Sequence, residues 1–216
     1  MEDNRMKRAL IFLTVLLCAC SSAPAKTLQP TNIPTEDNFL QETTATLEAT
    51  IAQTPTMTPS VFWISVPGFA NETDIPTEYT CQNIDQIGIS PEVDWGNLPS
   101  GTKSLALIAD DPDAPLGTFT HWVVYNIPSA VEGLPQGMPV KEHIVGIGTQ
   151  GVNGFGQNGY GGPCPPFKMK HRYYFRLYAL DLPTSLNDGL DADGLRKQIE
   201  SHVLGQVEWM GTYRQP

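Results

Sequence analysis

The chain has 216 residues, with 13 Lys and Arg against 23 Asp and Glu, a net charge of -10, and 40% hydrophobic residues. That balance lacks the basic face that nucleic-acid binding requires, so no nucleic-acid partner is expected. Nineteen Gly and nineteen Pro suit short strands joined by turns better than a helical bundle, and the length allows one core of ordinary size.

The first segment, MEDNRMKRALIFLTVLLCAC, opens with Arg5, Lys7 and Arg8 and continues in an apolar run over residues 9–17. That run is too short to cross a bilayer. It ends Leu17-Cys18-Ala19-Cys20, followed by Ser21-Ser22. Leucine, any residue, a small residue and then cysteine resembles a bacterial lipoprotein signal. The resemblance implies that residues 1–20 are a signal peptide and that Cys20 is lipidated as the mature N-terminus. The protein would then be exported and anchored to the cell membrane. A plain secretory signal with two incidental cysteines is the alternative. Residues 21–60 are rich in Thr and Pro and show no strand alternation. Such a segment cannot bury enough apolar surface to offset its ordering entropy, and it reads as a disordered tether. Within it, Leu40, Leu47 and Ile51 allow a loose helix over residues 39–51, which the many threonines weaken.

Residues 61–216 form the folded domain. SLALIA over residues 104–109 is an almost continuous apolar run, as for a strand buried on both faces. HWVVYNIP (121–128) and YYFRLYALD (173–181) are rich in aromatic and β-branched residues. In the second, Tyr173, Phe175, Leu177 and Ala179 share one face, and Tyr174, Arg176 and Tyr178 the other. One helix is expected in DADGLRKQIESHVLG: an aspartate cap, apolar Leu195, Ile199 and Val203 at spacing four, and Gly205 as its stop. VEWMGTYR then reads as a final strand. The architecture is mainly β, a two-sheet sandwich with a late helix.

Two irregular stretches, residues 128–148 and 148–170, are long enough to lie across a site. The second is glycine-rich, and glycine permits close approach and N–H groups that cradle an anion. It lacks a P-loop ending, so no nucleotide site is supported.

The polar groups gather in DDPDAP with the nearby HW, and in GPCPP with the following HRY. Both attach to apolar strands, which places them at one end of a sheet. Pro112 and Pro115 fix the backbone on either side of Asp113. A buried carboxylate needs a partner, and His121, His171 and Arg172 are the candidates. A carboxylate beside an imidazole fixes which nitrogen carries the proton and favours the imidazolium, which is a good anion ligand. Residues alone leave three readings: an anion site, a structural network in which Asp113 caps a turn and Arg172 pairs with Asp111, or a metal held by Asp111, Asp113, His121 and His171. No HxH, HxxxH or CxxC pair supports the metal.

DPDAP, HW, GPCPP and HRYYFRLYALD, in this order, resemble the phosphatidylethanolamine-binding protein family, and within it the bacterial Raf-kinase-inhibitor-like branch. IPTEYTCQN, ISPEVDW, GTKSLALIADDPDAP, GTFTHWVVYNIP, GYGGPCPP and the closing GTYR extend the match over residues 62–214. The resemblance implies a Greek-key β-sandwich with one or two helices near the C-terminus. It also implies a small pocket for anions such as phosphate or phosphoryl head groups, without cofactor or metal. By the same resemblance the pocket is lined by Asp111, Asp113, His121, Gly162, Pro166, His171 and Tyr173. Asp110 is an extra acid, and Arg172 pairs structurally with an acid beneath the pocket. Glu92 in ISPEVDW and the short basic loop FKMK depart from the family pattern; Lys168 and Lys170 either add charge at the mouth or are solvated.

Cys81 and Cys164 remain once Cys18 and Cys20 are set aside. In an exported chain they invite a disulfide; a reactive Cys164 assisted by His171 is the alternative. Three functional classes follow: binding of a small anionic or phosphorylated ligand, inhibition of a protease or other protein partner, and hydrolysis by His and Asp. No GxSxG elbow is present, and no catalytic residue is assigned. Binding at the membrane surface is the expected function.

Overall fold

The computed structural model describes residues 60–83 and 88–216. The expected signal peptide, the expected lipidation at Cys20 and the expected helix over residues 39–51 fall outside the described residues. So does all of the tether except Ser60. Among the described residues no helix is long and apolar enough to cross a membrane.

Two sheets form the domain. The larger is built around three strands, β4 (Ser104–Asp111), β5 (Phe119–Pro128) and β9 (His171–Leu180), flanked by a fourth long one. With β2 (Thr73–Asp74), β7 (His143–Ile144), β8 (Gly148–Gln150) and β10 (Val203–Tyr213) its order is β2-β10-β9-β4-β5-β8-β7. The smaller sheet has the order β1-β3-β6, from β1 (Trp63–Ser65), β3 (Val93–Gly96) and β6 (Gly133–Leu134). The strand β9 sits beside β4 although β5 to β8 intervene in sequence, which is the crossover of a Greek key.

The apolar run of β4 is central, and every one of its residues is buried. Alternation sends Leu105 and Leu107 to one side and Ala106 and Ile108 to the other. The first pair joins Phe175, Leu177, Val93, Trp95 and Ile64 in the core between the two sheets. The second packs with Val123, Tyr125 and Leu180 under α1 (Ala192–Ile199), through Ala192, Leu195 and Ile199. The middle of the large sheet is therefore covered on both faces, which is why β4 reads as an unbroken hydrophobic run.

The helix begins where the sequence places it: the Asp191 carboxylate accepts from the Gly194 N–H at 2.7 Å. It ends at Ile199, earlier than expected. Val203 and Gly205, read as its last apolar position and its stop, belong to β10, which pairs with β9 as far as Tyr213↔His171. The ladder with β9 outcompetes about one and a half further helical turns. At Gly205 a Cβ would come within 2.9 Å of Pro99, so that glycine serves strand packing and not helix termination.

Candidate functional site

Antiparallel pairing brings the C-terminal end of β4 against the N-terminal ends of β5 and β9. Asp111, His121 and His171 thereby meet at one end of the large sheet. They line a cavity of about 210 Å³ together with the apolar Ala114, Pro115, Phe119, Phe155, Pro165 and Pro166, and with Cys164.

Neighbours in sequence, Asp110 and Asp111 point to opposite faces. Asp110 turns toward α1 and is gripped by Arg176 of β9 and Arg196 of the helix. Asp111 turns to the cavity. Its Oδ1 accepts the Asp113 N–H at 2.8 Å, closing the turn that starts with Pro112, and its Oδ2 accepts His171 Nδ1 at 2.7 Å. His171 is 1% exposed. With Nδ1 engaged, its polar edge toward other groups is Nε2, a buried atom without a hydrogen-bond partner among the described residues. In the neutral ring that atom is a lone pair; in the imidazolium it is a donor.

His121 is oriented differently. Its Nδ1 donates to the Gly161 carbonyl at 2.6 Å, not to an aspartate. Burial is the main influence on this imidazole and pushes it below its ordinary 6.5, only partly opposed by the Gly161 carbonyl and Asp111. It is held neutral, with Nε2 left as an acceptor. How it reaches the cavity depends on a β-bulge. Ala109 pairs with Trp122 and Asp110 with Thr120, so His121 is an extra residue of β5. The bulge lets His121 and Trp122, adjacent in sequence, both serve the inner side of the sheet. Trp122 is wholly buried in the inter-sheet core, and its indole N–H donates to Gln150 at 2.8 Å.

Of the remaining residues expected in the pocket, Pro166 lines it and the others take other places. Asp113 reaches Arg172, whose guanidinium donates to both carboxylate oxygens at 2.9 and 2.6 Å and holds its acid below the ordinary carboxylate value. This pair lies at the surface, with the Arg172 side chain 51% exposed, and not beneath the pocket or on Asp111. Tyr173 is buried behind the cavity wall, its ring 5.2 Å from that of His121 and 6.5 Å from that of His171. Its hydroxyl has no partner among the described residues, and burial pushes its pKa up, so it stays protonated. Gly162 is buried and is not among the lining residues, whereas Pro166 is. Lys170 pairs with Asp74 at 2.7 Å and Lys168 is exposed.

The four residues weighed as metal ligands do not converge: Asp113 is given to Arg172 and His121 Nδ1 to a carbonyl. Among the described residues the group with metal-like spacing is Glu142, His143 and Asp188, at the surface.

Two parts of the site escape sequence reasoning. Phe155, in the glycine-rich stretch, forms a wall and meets Phe119 edge-on at 4.8 Å between centroids. The glycines make room for these rings. A Cβ at Gly154 would lie 2.6 Å from Phe119, and one at Gly161 2.4 Å from Phe155. The N–H groups of Gly154 and Gly161 are spent on Thr120 and His121 carbonyls and cannot cradle a ligand. A large aromatic alone among glycines was the available signal. The second part is a disulfide between Cys81 and Cys164, with Cα atoms 5.4 Å apart across a separation of 83 residues. It places a sulfur in the cavity wall and leaves no free thiol at Cys164.

Comparison with known proteins gives the same picture. A UPF0098 protein of Aquifex aeolicus is 46% identical over 151 residues, covering 68% of this chain and 84% of its own length. One from Methanothermobacter thermautotrophicus is 44% identical over 146 residues, covering 68% and 94%. Among solved structures, a phosphatidylethanolamine-binding protein homologue of Chlamydia trachomatis superposes with a TM-score of 0.64 at 37% identity, over 72% of this chain and 98% of that one. YbcL of E. coli, a member of the mammalian family, gives 0.63 at 26%, over 72% and 99%. The model of the phosphatidylethanolamine-binding protein family matches residues 65–214. Those residues contain both long motifs, the bulge and the whole cavity, and the chain belongs to that family.

Proposed function

We propose that the cavity binds a small phosphate-bearing anion, with His171 as the group that makes it receptive. The observation that carries this reading is the Nε2 of His171, buried, without a partner, on a ring that lines the cavity. Asp111 and the His121 Nε2 are acceptors and repel a fully ionised phosphate. An imidazolium at His171 reverses the balance by adding a donor and a positive charge. A singly protonated phosphate also offers an O–H to the His121 Nε2. A volume of about 210 Å³ lies below the usual range for larger ligands and suits a phosphoryl group.

In this reading the domain works outside the cell. Residues 1–20 are the lipoprotein signal, Cys20 carries the lipid, and residues 21–60 tether the domain to the membrane. The Cys81–Cys164 disulfide suits an oxidising compartment. Labelling with palmitate, lost in Cys20→Ser, tests the anchor. For the pocket, calorimetric titration of the full chain with phosphate and phosphoethanolamine at pH 6 and pH 8 is the test. Binding is tighter at pH 6 and is lost in His171→Ala. Tighter binding at pH 8, or binding indifferent to the variant, refutes the assignment.

One observation favours a second reading, inhibition of a protein partner such as a protease. Leu116 is fully exposed on the loop next to Pro115 at the cavity rim. If that loop docks in a partner, Leu116→Asp abolishes inhibition and leaves phosphate binding intact.

A further inference from the structure

The outer face of the small sheet carries a second cavity of about 530 Å³, which shares no residue with the first. Its floor follows from strand register. Trp63 pairs with Gly96, and Asp94 pairs with Gly133. Residues paired across strands, and residues two apart on one strand, share a face. Trp63, Asp94, Gly96 and Gly133 therefore line one surface, while Ile64, Val93 and Trp95 fill the core on the other.

Both glycines are required by what lies over them. A Cβ at Gly96 would come within 2.7 Å of the Trp63 indole, and one at Gly133 within 2.8 Å of Asp94 Oδ1. The indole lies across Gly96 and remains 42% exposed, an unusual state for the largest apolar side chain. Glu132 lines the same cavity. Among the described residues neither Asp94 nor Glu132 has an ion-pair partner, and no basic residue lines the cavity.

We infer that this cavity is a second binding site, for a small ligand bearing an ammonium group. An exposed indole attracts a cation through its ring quadrupole, most strongly when the cation is an alkylated, weakly hydrated ammonium. Two carboxylates without counter-ions add charge complementarity that a neutral ligand does not use. A volume of about 530 Å³ falls within the range of small-molecule sites. Trp63 supplies the aromatic face, Asp94 and Glu132 the counter-charge, and the two glycines the depth.

Calorimetric titration of the full chain with choline, with its neutral isostere 3,3-dimethylbutan-1-ol and with methyl glucoside tests the site. Choline binds saturably and the other two do not. Trp63→Ala weakens choline by about fivefold to thirtyfold, the range that a cation–π contact of appreciable strength supplies. Trp63→Phe, which keeps a ring, retains part of the affinity, and Asp94→Asn lowers it without removing the platform. Melting curves establish that each variant is folded. Equal binding of the isostere would show an apolar groove, and glucoside binding in place of choline a sugar platform. Choline affinity unchanged in both Trp63→Ala and Asp94→Asn would place the cation elsewhere. Any of the three overturns the inference.

Discussion

Asp110 and Asp111 are chemically identical, consecutive and equally buried, yet they belong to different regions of the molecule. On the helix side, Asp110 is matched by two guanidinium groups and nothing is left over. On the cavity side, Asp111 is matched by one imidazole whose second nitrogen has no partner. A saturated ion cluster can only hold elements together: it fastens α1 to β4 and β9. An unsaturated one retains the capacity to bind. Burial alone does not separate scaffold from site; the count of partners does.

The difference can be broken experimentally, beginning with the largest effect. Asp110→Ala removes the buried acid shared by two guanidinium groups, leaving Arg176 only Glu208 and Arg196 only Asp193. It costs about 3 kcal/mol in denaturant unfolding, the low end for breaking a buried pair, while folded molecules still bind phosphate. A loss of binding equal to that of His171→Ala would erase the distinction between the two faces. Asp111→Ala costs less, about 1–3 kcal/mol for an unpaired buried donor on His171, but it abolishes the phosphate binding that strengthens at low pH. Calorimetry beside denaturant titration separates the two variants.

The third effect concerns pH. His121 has a folded pKa below its ordinary 6.5, so below about pH 6.5 the unfolded chain takes up a proton that the folded one resists. The stabilisation this group contributes is complete above that pH and is lost as pH falls toward the folded value. The slope is at most about 1.4 kcal/mol per pH unit. His121→Asn keeps a donor for the Gly161 carbonyl but does not titrate. The difference in its melting temperature between pH 7 and pH 5 is therefore smaller than in the parent. The least effect is expected at Arg172→Ala, since an exposed ion pair contributes little: melting temperature and phosphate affinity both stay unchanged. A fall in affinity there would move Asp113 and Arg172 into the site.

Much of this was legible in the sequence. The unbroken apolar run of β4, the alternation of β9 and the Asp191 cap announce themselves because they are local. So does the set of motifs that supplies Asp111, His121, Pro166 and His171. The end of α1 was not legible, since helical spacing persists through Val203 and only the partner strand β9 decides against it. The role of Asp110 was hidden for a similar reason. Its partners Arg176 and Arg196 stand 66 and 86 residues away, and nothing in DDPD tells which aspartate faces them. Tyr173 reads as a pocket residue by its place in HRY, yet alternation along β9 sets it in the wall behind the histidines.

The extra residue at position 121 has a consequence for anyone rebuilding this protein. A designer who redrew β5 as an ideal strand would keep every side chain of the motif and still lose the site. Removing one residue to regularise the ladder swaps the faces of everything beyond it, sending either the imidazole or Trp122 to the wrong side. The geometry of the cavity is thus encoded in chain length as much as in residue identity, and a library that varies side chains alone cannot recover it once that residue is gone.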